Sequence, residues 1–368
     1  MYCADCEAID SYFYDSTHFW LFFPTAESMT KAIVYCGTEH FSATQHRANC
    51  LEVIVTKDRL QNFLISLFGE FQGPELAKTK ITTTESTELD LDAISKVLPA
   101  DVLINRYNSR WLVDSIEKNR FESHYQAIVE VDKNGEINPI GQEALFRIKD
   151  ELGNNVPPDH AFSLAEHSDL LFSLDLVARR SAVSHYIKAG LTGKLFINFN
   201  PSSIYDPSYC LRATTSAINE LGIHPSNVVF EITETHQIKN QSLMKGLLNF
   251  YRNAGFQVAI DDIGSGYAGL NMLHTYQPDY VKIDMELVRG LDTNYYKRSI
   301  VKHLIEIANS NSTKVIAEGI ETEQEFSVLR ELGADYYQGY YFAKPKFQKF
   351  TCSQELEARV DSILGGIQ

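Results

Sequence analysis

The sequence predicts an α/β chain in which a small α+β domain precedes a TIM-like barrel. Three observations lead there. From Phe121 onward, short apolar runs alternate with longer helical stretches, the order of a parallel sheet with helical crossovers. That region is about 225 residues long, the size of one barrel. The 368 residues also exceed what one core commonly organises.

Residues 1–85 form the first domain. An apolar run at 18–23 is a strand, and Pro24 and Thr25 lead into a helix through Cys36. Strands follow at 41–45 and 51–56. The helix at 57–71 places Leu60, Phe63, Leu64 and Leu67 on one face, at spacings of three and four. The Thr-rich segment 78–84 is a further strand. The order β-α-β-β-α-β is that of a ferredoxin-like sandwich.

Residues 86–120 are a connector, acidic and then apolar, with a helix at 101–120. Leu103, Tyr107 and Trp111 fall four apart there, as do Leu112 and Ile116. Such a face packs on the second domain, on a partner chain, or in ordinary core. Residues 121–346 are the barrel, with strands at 125–131, 195–198, 228–232, 257–260, 280–283 and 314–317. Helices lie between them at 169–189, 243–254, 297–309 and 322–332. An open doubly wound sheet is the competing arrangement, although no G-x-G-x-x-G follows an early strand. Residues 347–368 are a C-terminal helix or tail.

The formal net charge of −15 argues against a broad basic surface for a nucleic-acid polymer. Residues 1–10 are acidic and do not look like a signal peptide, and the run at 19–23 is far too short for a membrane span. A cytoplasmic protein is the expectation. Six cysteines suit reduced thiols better than a disulfide scaffold. Cys3 and Cys6 form a C-x-x-C, and Cys36 and Cys50 follow with His18, His40 and His46 nearby, a candidate Zn²⁺ site in the first domain. Buried structural thiols, or a redox pair at Cys3 and Cys6, are the alternatives.

The informative feature is where the acids fall. Strand candidates end at Asn198, at Glu231 with Glu234 beyond, at Asp261–Asp262, at Lys282 with Asp284, and at Glu318 with Glu321. Glu143 sits in an earlier element at 140–148. In a barrel the C-terminal strand ends meet around one mouth, so these groups converge. One acid at a strand end is ordinarily a solvated loop residue. Several gathered together repel and call for cations. An all-oxygen ligand set suits Mg²⁺ or Mn²⁺, and an adjacent pair such as Asp261–Asp262 can serve two ions about 3.5–4 Å apart.

Glu143-Ala144-Leu145 lies within QEALFR. In order with it come Tyr125-Gln126, Asn198, EITET at 231–235, DDIGSGYAGL at 261–270, VKID at 281–284, AEGIET at 317–322 and QGYYFAKP at 338–345. Together these motifs resemble the EAL family of cyclic di-GMP phosphodiesterases, over roughly residues 120–346. The resemblance implies a (β/α)8 barrel, a homodimer through that domain, and hydrolysis of cyclic di-GMP to linear pGpG with two Mg²⁺ or Mn²⁺ ions. It implies metal ligands at Glu143, Asn198, Glu231, Asp261, Asp262 and Glu318. Glu318 is also the implied general base, Lys282 the group that orients water or steadies the phosphate, and Asp284 a partner of the metal-held water. Glu234 would hold the loop after Asp262. Gln126, Arg147, Glu321 and Gln338 would contact substrate. The chain departs from the family pattern at Ile263 and Ser265, at Ala127 after Tyr-Gln, and at Ile148-Lys149-Asp150 after the EAL arginine. A receptor that binds cyclic di-GMP without cleaving it is the competing function. No GGDEF-like cyclase motif is present, and the first domain is expected to regulate the second.

Overall fold

The computed structural model describes residues 12–71, 73–168, 170–201, 215, 218, 222–233, 241–266 and 269–347. The chain divides into two units, one of Met1–Arg120 with Ile148–Leu174 and one of Phe121–Arg147 with Asp175–Gln368.

In the first unit, β1 (Ser16–Phe22), β2 (Ser42–Arg47), β3 (Cys50–Thr56), β4 (Lys80–Thr84) and β5 (Leu98–Pro99) form an antiparallel sheet ordered β2-β3-β1-β4-β5. Helices Ala26–Thr38 and Leu60–Gly69 complete the expected β-α-β-β-α-β order. Strand alternation sorts the residues. Phe19, Leu21, Leu51 and Val53 join Met29, Ala32, Phe63 and Leu67 in one core. His18, Trp20 and Glu52 take the other parity. Glu52 is buried there because its two oxygens meet His18 Nδ1 and His46 Nε2, each at 2.7 Å. Cys36 belongs to the core and Cys50 is also buried. Among the described residues neither cysteine joins a group of side chains that could share an ion. Cys3 and Cys6 lie outside the described residues.

The helix expected over 101–120 is two helices, Ala100–Asn108 and Arg110–Glu117. Ser109 Oγ donates back to the Asn105 and Arg106 carbonyls at 2.7 and 3.1 Å, which interrupts the ladder between them. Of the apolar face that the periodicity predicts, Leu103, Tyr107 and Leu112 are buried, and Trp111 and Ile116 are partly buried.

In the second unit, eight strands close a barrel. They are β6 (Phe121–Val131), β7 (Ile137–Lys149), β9 (Lys194–Asn198), β10 (Val228–Thr233), β11 (Gln257–Ile263), β12 (Tyr280–Ile283), β13 (Lys314–Ala317) and β14 (Tyr336–Tyr337). The last two residues of β7, Ile148 and Lys149, belong to the first unit, where they pair with the short β8 (Asn155–Val156). From β7 to β14 the barrel neighbours are parallel, but β6 runs antiparallel to β14, with Tyr337 opposite Val129. Residues 132–136, which join β6 to β7, explain this. A parallel crossover needs about a dozen residues or more, whereas a tight turn reverses the chain. Asp132 Oδ1 accepts the Asn134 and Glu136 amides, each at 2.8 Å, and Gly135 takes φ 90° to complete the turn.

Inside the barrel, Ile128, Phe196, Val229, Ala259, Tyr280 and Ile316 form an apolar layer. Outward-facing residues such as Leu195, Val258 and Val281 pack with Met244, Leu248, Val301 and Leu329 of the surrounding helices. No helix of the described residues is long and apolar enough to cross a membrane. Residues 348–368, which include most of the expected C-terminal tail, lie outside the description.

Candidate active site

Successive residues of a strand face opposite sides, so a residue two positions beyond an interior residue is also interior. That rule builds the site from the apolar layer. Two residues on from Phe196, Val229, Ala259, Tyr280 and Ile316 stand Asn198, Glu231, Asp261, Lys282 and Glu318. Tyr336, packed against the same layer, leads in the same way to Gln338. On β6, which runs the other way, Gln126 lies two residues before Ile128. Glu143 comes from β7. Every barrel strand thus places a polar side chain above one apolar floor.

Asp262 breaks the parity, since adjacent strand residues cannot both face inward. The β11–β12 register shifts between Ile260 and Ile263, and Asp262 adopts φ 57° while its amide donates to Asp261 Oδ1 at 2.9 Å. This irregularity re-aims the second aspartate.

Lys282 is the centre of the group. Its side chain is fully buried, and Nζ lies 2.6 Å from Glu318, 2.8 Å from Glu231, 3.2 Å from Asp261 and 3.4 Å from Glu143. Burial alone would lower its pKa, but these carboxylates outweigh that and hold it well above the usual lysine value. Burial pushes the Glu231 and Glu318 carboxyls well above the ordinary range, only partly offset by Lys282. Asp262 is raised to about 7, by burial first and then by the neighbouring Asp261 charge.

Amides orient Glu143. Asn198 Nδ2 reaches one oxygen at 3.2 Å and Gln338 Nε2 the other at 2.6 Å. Gln338 also bonds Gln126 Oε1 at 3.2 Å, and Gln126 Nε2 donates to the Ala343 carbonyl at 3.1 Å.

Four carboxyl groups share one ammonium and, when ionised, leave a surplus of negative charge, and Lys282 is the one cation within 4 Å of the fully buried Glu231 among the described residues. Glu143, Glu231 and Asp261 bring one oxygen each within 4.8 Å of one another, as do Asp261, Asp262 and Glu318. Two all-oxygen groups that share Asp261 fit hard divalent cations.

The group opens into a cleft of about 310 Å³. Gln126, Glu143, Asp284, Glu321 and Gln338 are among the residues that line it, while Arg147 is not. Arg147 is half-buried, and burial lowers its pKa. Glu234 lies outside the described residues. Asp284 caps the helix Met285–Val288, accepting the Glu286 amide at 2.7 Å. Sequence reasoning missed Met285, Arg289 and Tyr340, which lie beyond the strand ends, Met285 at the start of that short helix and Arg289 and Tyr340 in turns. A cation five residues past Asp284 was the available signal. Gly339 is a glycine because a Cβ there would run into the Ile320 backbone.

Glu325 ties two of these loops together. It accepts the Gly290 amide at 3.1 Å, and the Glu321 and Thr322 amides at 3.0 and 3.1 Å, and it closes a capping box on the helix Glu323–Leu332. Burial would raise its carboxyl, but those amides win and hold it below the ordinary 4.5. A lowered folded pKa adds stability at pH values above the unfolded one, and that stability is lost as pH falls through the folded value. Glu325→Ala is therefore expected to lose about 1–3 kcal/mol at pH 7, the cost of buried donors left unpaired. The difference from the parent should narrow on acidification, as followed by denaturant unfolding at pH 7 and pH 4. An equal difference at both would refute the charge argument.

A family model described as the EAL domain matches residues 109–345. The chain is 26% identical to the cyclic di-GMP phosphodiesterase PdeA of Borreliella burgdorferi over 284 residues, 75% of this chain and 42% of the relative. It is 30% identical to the cyclic di-GMP phosphodiesterase RocR of Pseudomonas aeruginosa over 242 residues, 64% of this chain and 59% of the relative. The chain thus spans about half the length of these curated relatives. Among solved structures, the c-di-GMP bound form of a standalone EAL protein from Vibrio cholerae O395 is 34% identical, with a TM-score of 0.57, covering 64% of this chain and 97% of that one.

Proposed function

We propose, starting from the fact that this chain belongs to the EAL-domain family, that its barrel hydrolyses cyclic di-GMP to linear pGpG with the help of two Mg²⁺ or Mn²⁺ ions. The observation that carries the reading is the cluster of four carboxylates around Lys282 with their surplus negative charge. The cyclic di-GMP phosphodiesterase names of PdeA and RocR, and the c-di-GMP bound form of the Vibrio cholerae protein, support the substrate.

In this reading Glu143, Asn198, Glu231, Asp261, Asp262 and Glu318 hold the ions. Bound there, the ions supply Lewis acidity at the phosphodiester and make water a better nucleophile at neutral pH. The chain's own residues do the rest. Lys282 is fixed by its burial and steadies the negative charge that builds at phosphorus. Glu318 takes the proton of the attacking water. Asp284 holds its place through the cap it makes and partners that water. Gln338 and Asn198 orient Glu143 by the hydrogen bonds they donate to it. Glu321, Gln126 and Arg147 contact the nucleotide, and Glu234 holds the loop beyond Asp262.

Two barrels associate in this reading, and the exposed Leu270, Met285, Tyr295 and Tyr296 support it as apolar surface on the helices after β11 and β12. The first unit regulates the barrel, in a cytoplasmic protein.

The test is product analysis. Full chain is incubated with cyclic di-GMP and Mn²⁺ or Mg²⁺, with EDTA as control, and pGpG is followed by chromatography. Metal-dependent pGpG is the expected result. Ligand binding with no product would overturn the enzyme and make the barrel a receptor.

A further inference from the structure

We infer that Arg289 is a further substrate-binding residue of the cleft, its guanidinium holding the phosphodiester that is not being cleaved. The inference rests on the cyclic di-GMP reading above. The cleft lining carries the carboxylates Glu143, Asp261, Asp262, Asp284, Glu318 and Glu321 against two cations, Lys282 and Arg289. Lys282 is fully buried and already meets four carboxylates. Arg289, with 30% of its side chain exposed, is then the lining cation, among the described residues, that an entering ligand can reach. A cyclic dinucleotide brings two negative phosphodiesters. The metal site would answer one of them, and the other would face a rim of carboxylates whose reachable lining cation is Arg289, Arg147 lying outside the lining. A planar guanidinium fork matches two phosphate oxygens at once.

The arginine is built to make this exchange. Its backbone is pinned, because its amide donates to the Met285 carbonyl at 2.8 Å and its own carbonyl accepts Lys297 Nζ at 2.9 Å. The next residue, Gly290, takes φ 67° and donates its amide to Glu325 at 3.1 Å. The head group, by contrast, pairs with Glu321, whose side chain is 44% exposed. Exposed ion pairs contribute little, so a phosphodiester can take Glu321's place. The displaced carboxylate is then free to meet the N–H edge of a guanine. The Arg289–Glu321 pair is a place-holder for the ligand.

The experiment uses the full chain with Mn²⁺ and cyclic di-GMP, comparing Arg289→Ala and Arg289→Lys with the parent. Arg289→Ala should raise KM at least about 10-fold, the loss of a hydrogen-bonded charge. It should keep kcat within about 3-fold, the signature of binding lost equally in ground and transition states. Mn²⁺ affinity and thermal midpoint should not move, and KM should depend less steeply on salt. Arg289→Lys, which keeps the charge without the fork, should fall between. An unchanged KM, or a loss confined to kcat, overturns the inference. In a Glu321→Gln background Arg289→Ala should still raise KM. No effect there would mean that Arg289 only positions Glu321, and the inference fails. If the parent binds without cleaving, the same comparisons are made on Kd by calorimetry. A parent that neither binds nor cleaves cyclic di-GMP sinks the functional reading itself, a result distinct from all of these.

Discussion

Glu143→Ala is expected to abolish detectable pGpG formation, a loss of well over 100-fold. Supporting partners of a metal ligand ordinarily cost about 10–100-fold when removed, and Glu143 is placed as a ligand itself. Its carboxylate is buried, lies 3.4 Å from Lys282 Nζ, and accepts hydrogen bonds from both Asn198 and Gln338. Removing it withdraws one oxygen from the group it shares with Glu231 and Asp261 and leaves two amide donors without their acceptor. Glu143→Gln tests the charge alone, since it keeps the volume. It should lose nearly as much activity while unfolding at a temperature close to the parent's. The measurement is single-turnover pGpG formation at saturating Mn²⁺, with Mn²⁺ affinity taken by calorimetry. Near-parental turnover in either variant would remove Glu143 from the metal site.

Lys282→Met should have its largest effect on stability without metal. Deleting one partner of a buried ion pair costs about 3–5 kcal/mol because the other charge remains unpaired. Here four carboxylates lose a shared ammonium. The variant should therefore unfold at a markedly lower temperature in EDTA. Mn²⁺ should restore much of the difference, since a ligand at about 100 times its Kd adds about 2.7 kcal/mol to the folded state. The pH sign follows from the raised carboxyls of Glu231 and Glu318. Protonation at lower pH relieves the repulsion, so the penalty should be largest in alkaline buffer and shrink on acidification. Turnover should slow even when metal is bound, because the charge at phosphorus loses a fixed cation. Equal midpoints in EDTA and in Mn²⁺ would show that the carboxylates do not form one charged group.

The barrel was legible because its strands are buried on both faces. Runs such as 228–232 and 280–283 read as nearly continuous apolar segments, and a polar residue at the end of each is conspicuous. The acids were legible for the same reason. What the pattern hid had local causes. β14 is only Tyr336–Tyr337, and two tyrosines carry no period. The reversed direction of β6 is set by five turn residues rather than by the strand's own composition. Ser109 is an ordinary helix residue by propensity, and it interrupts the helix through hydrogen bonds that depend on local geometry. The Asp261–Asp262 pair was noticed, but the register shift that lets both face one site leaves no mark in composition. Arg289 escaped because it belongs to a loop, where spacing carries no geometric promise.

The closure of the barrel has a consequence for how the protein is made. Tyr337 pairs with Val129, the Tyr125 amide bonds the Lys346 carbonyl at 2.6 Å, and Gln126 meets Gln338. Of the barrel's eight strands, the one made last is therefore the one that joins the barrel's two ends, across more than 200 residues of sequence. Loop closure of that span is slow, and a growing chain that stops after β13 lacks both Gln338 and the amide chain that aims Glu143. Such a fragment has most of its acids in hand but no finished place for them. The hydrogen-bonded setting that aims Glu143 is then complete only once the barrel's closing strand has been translated.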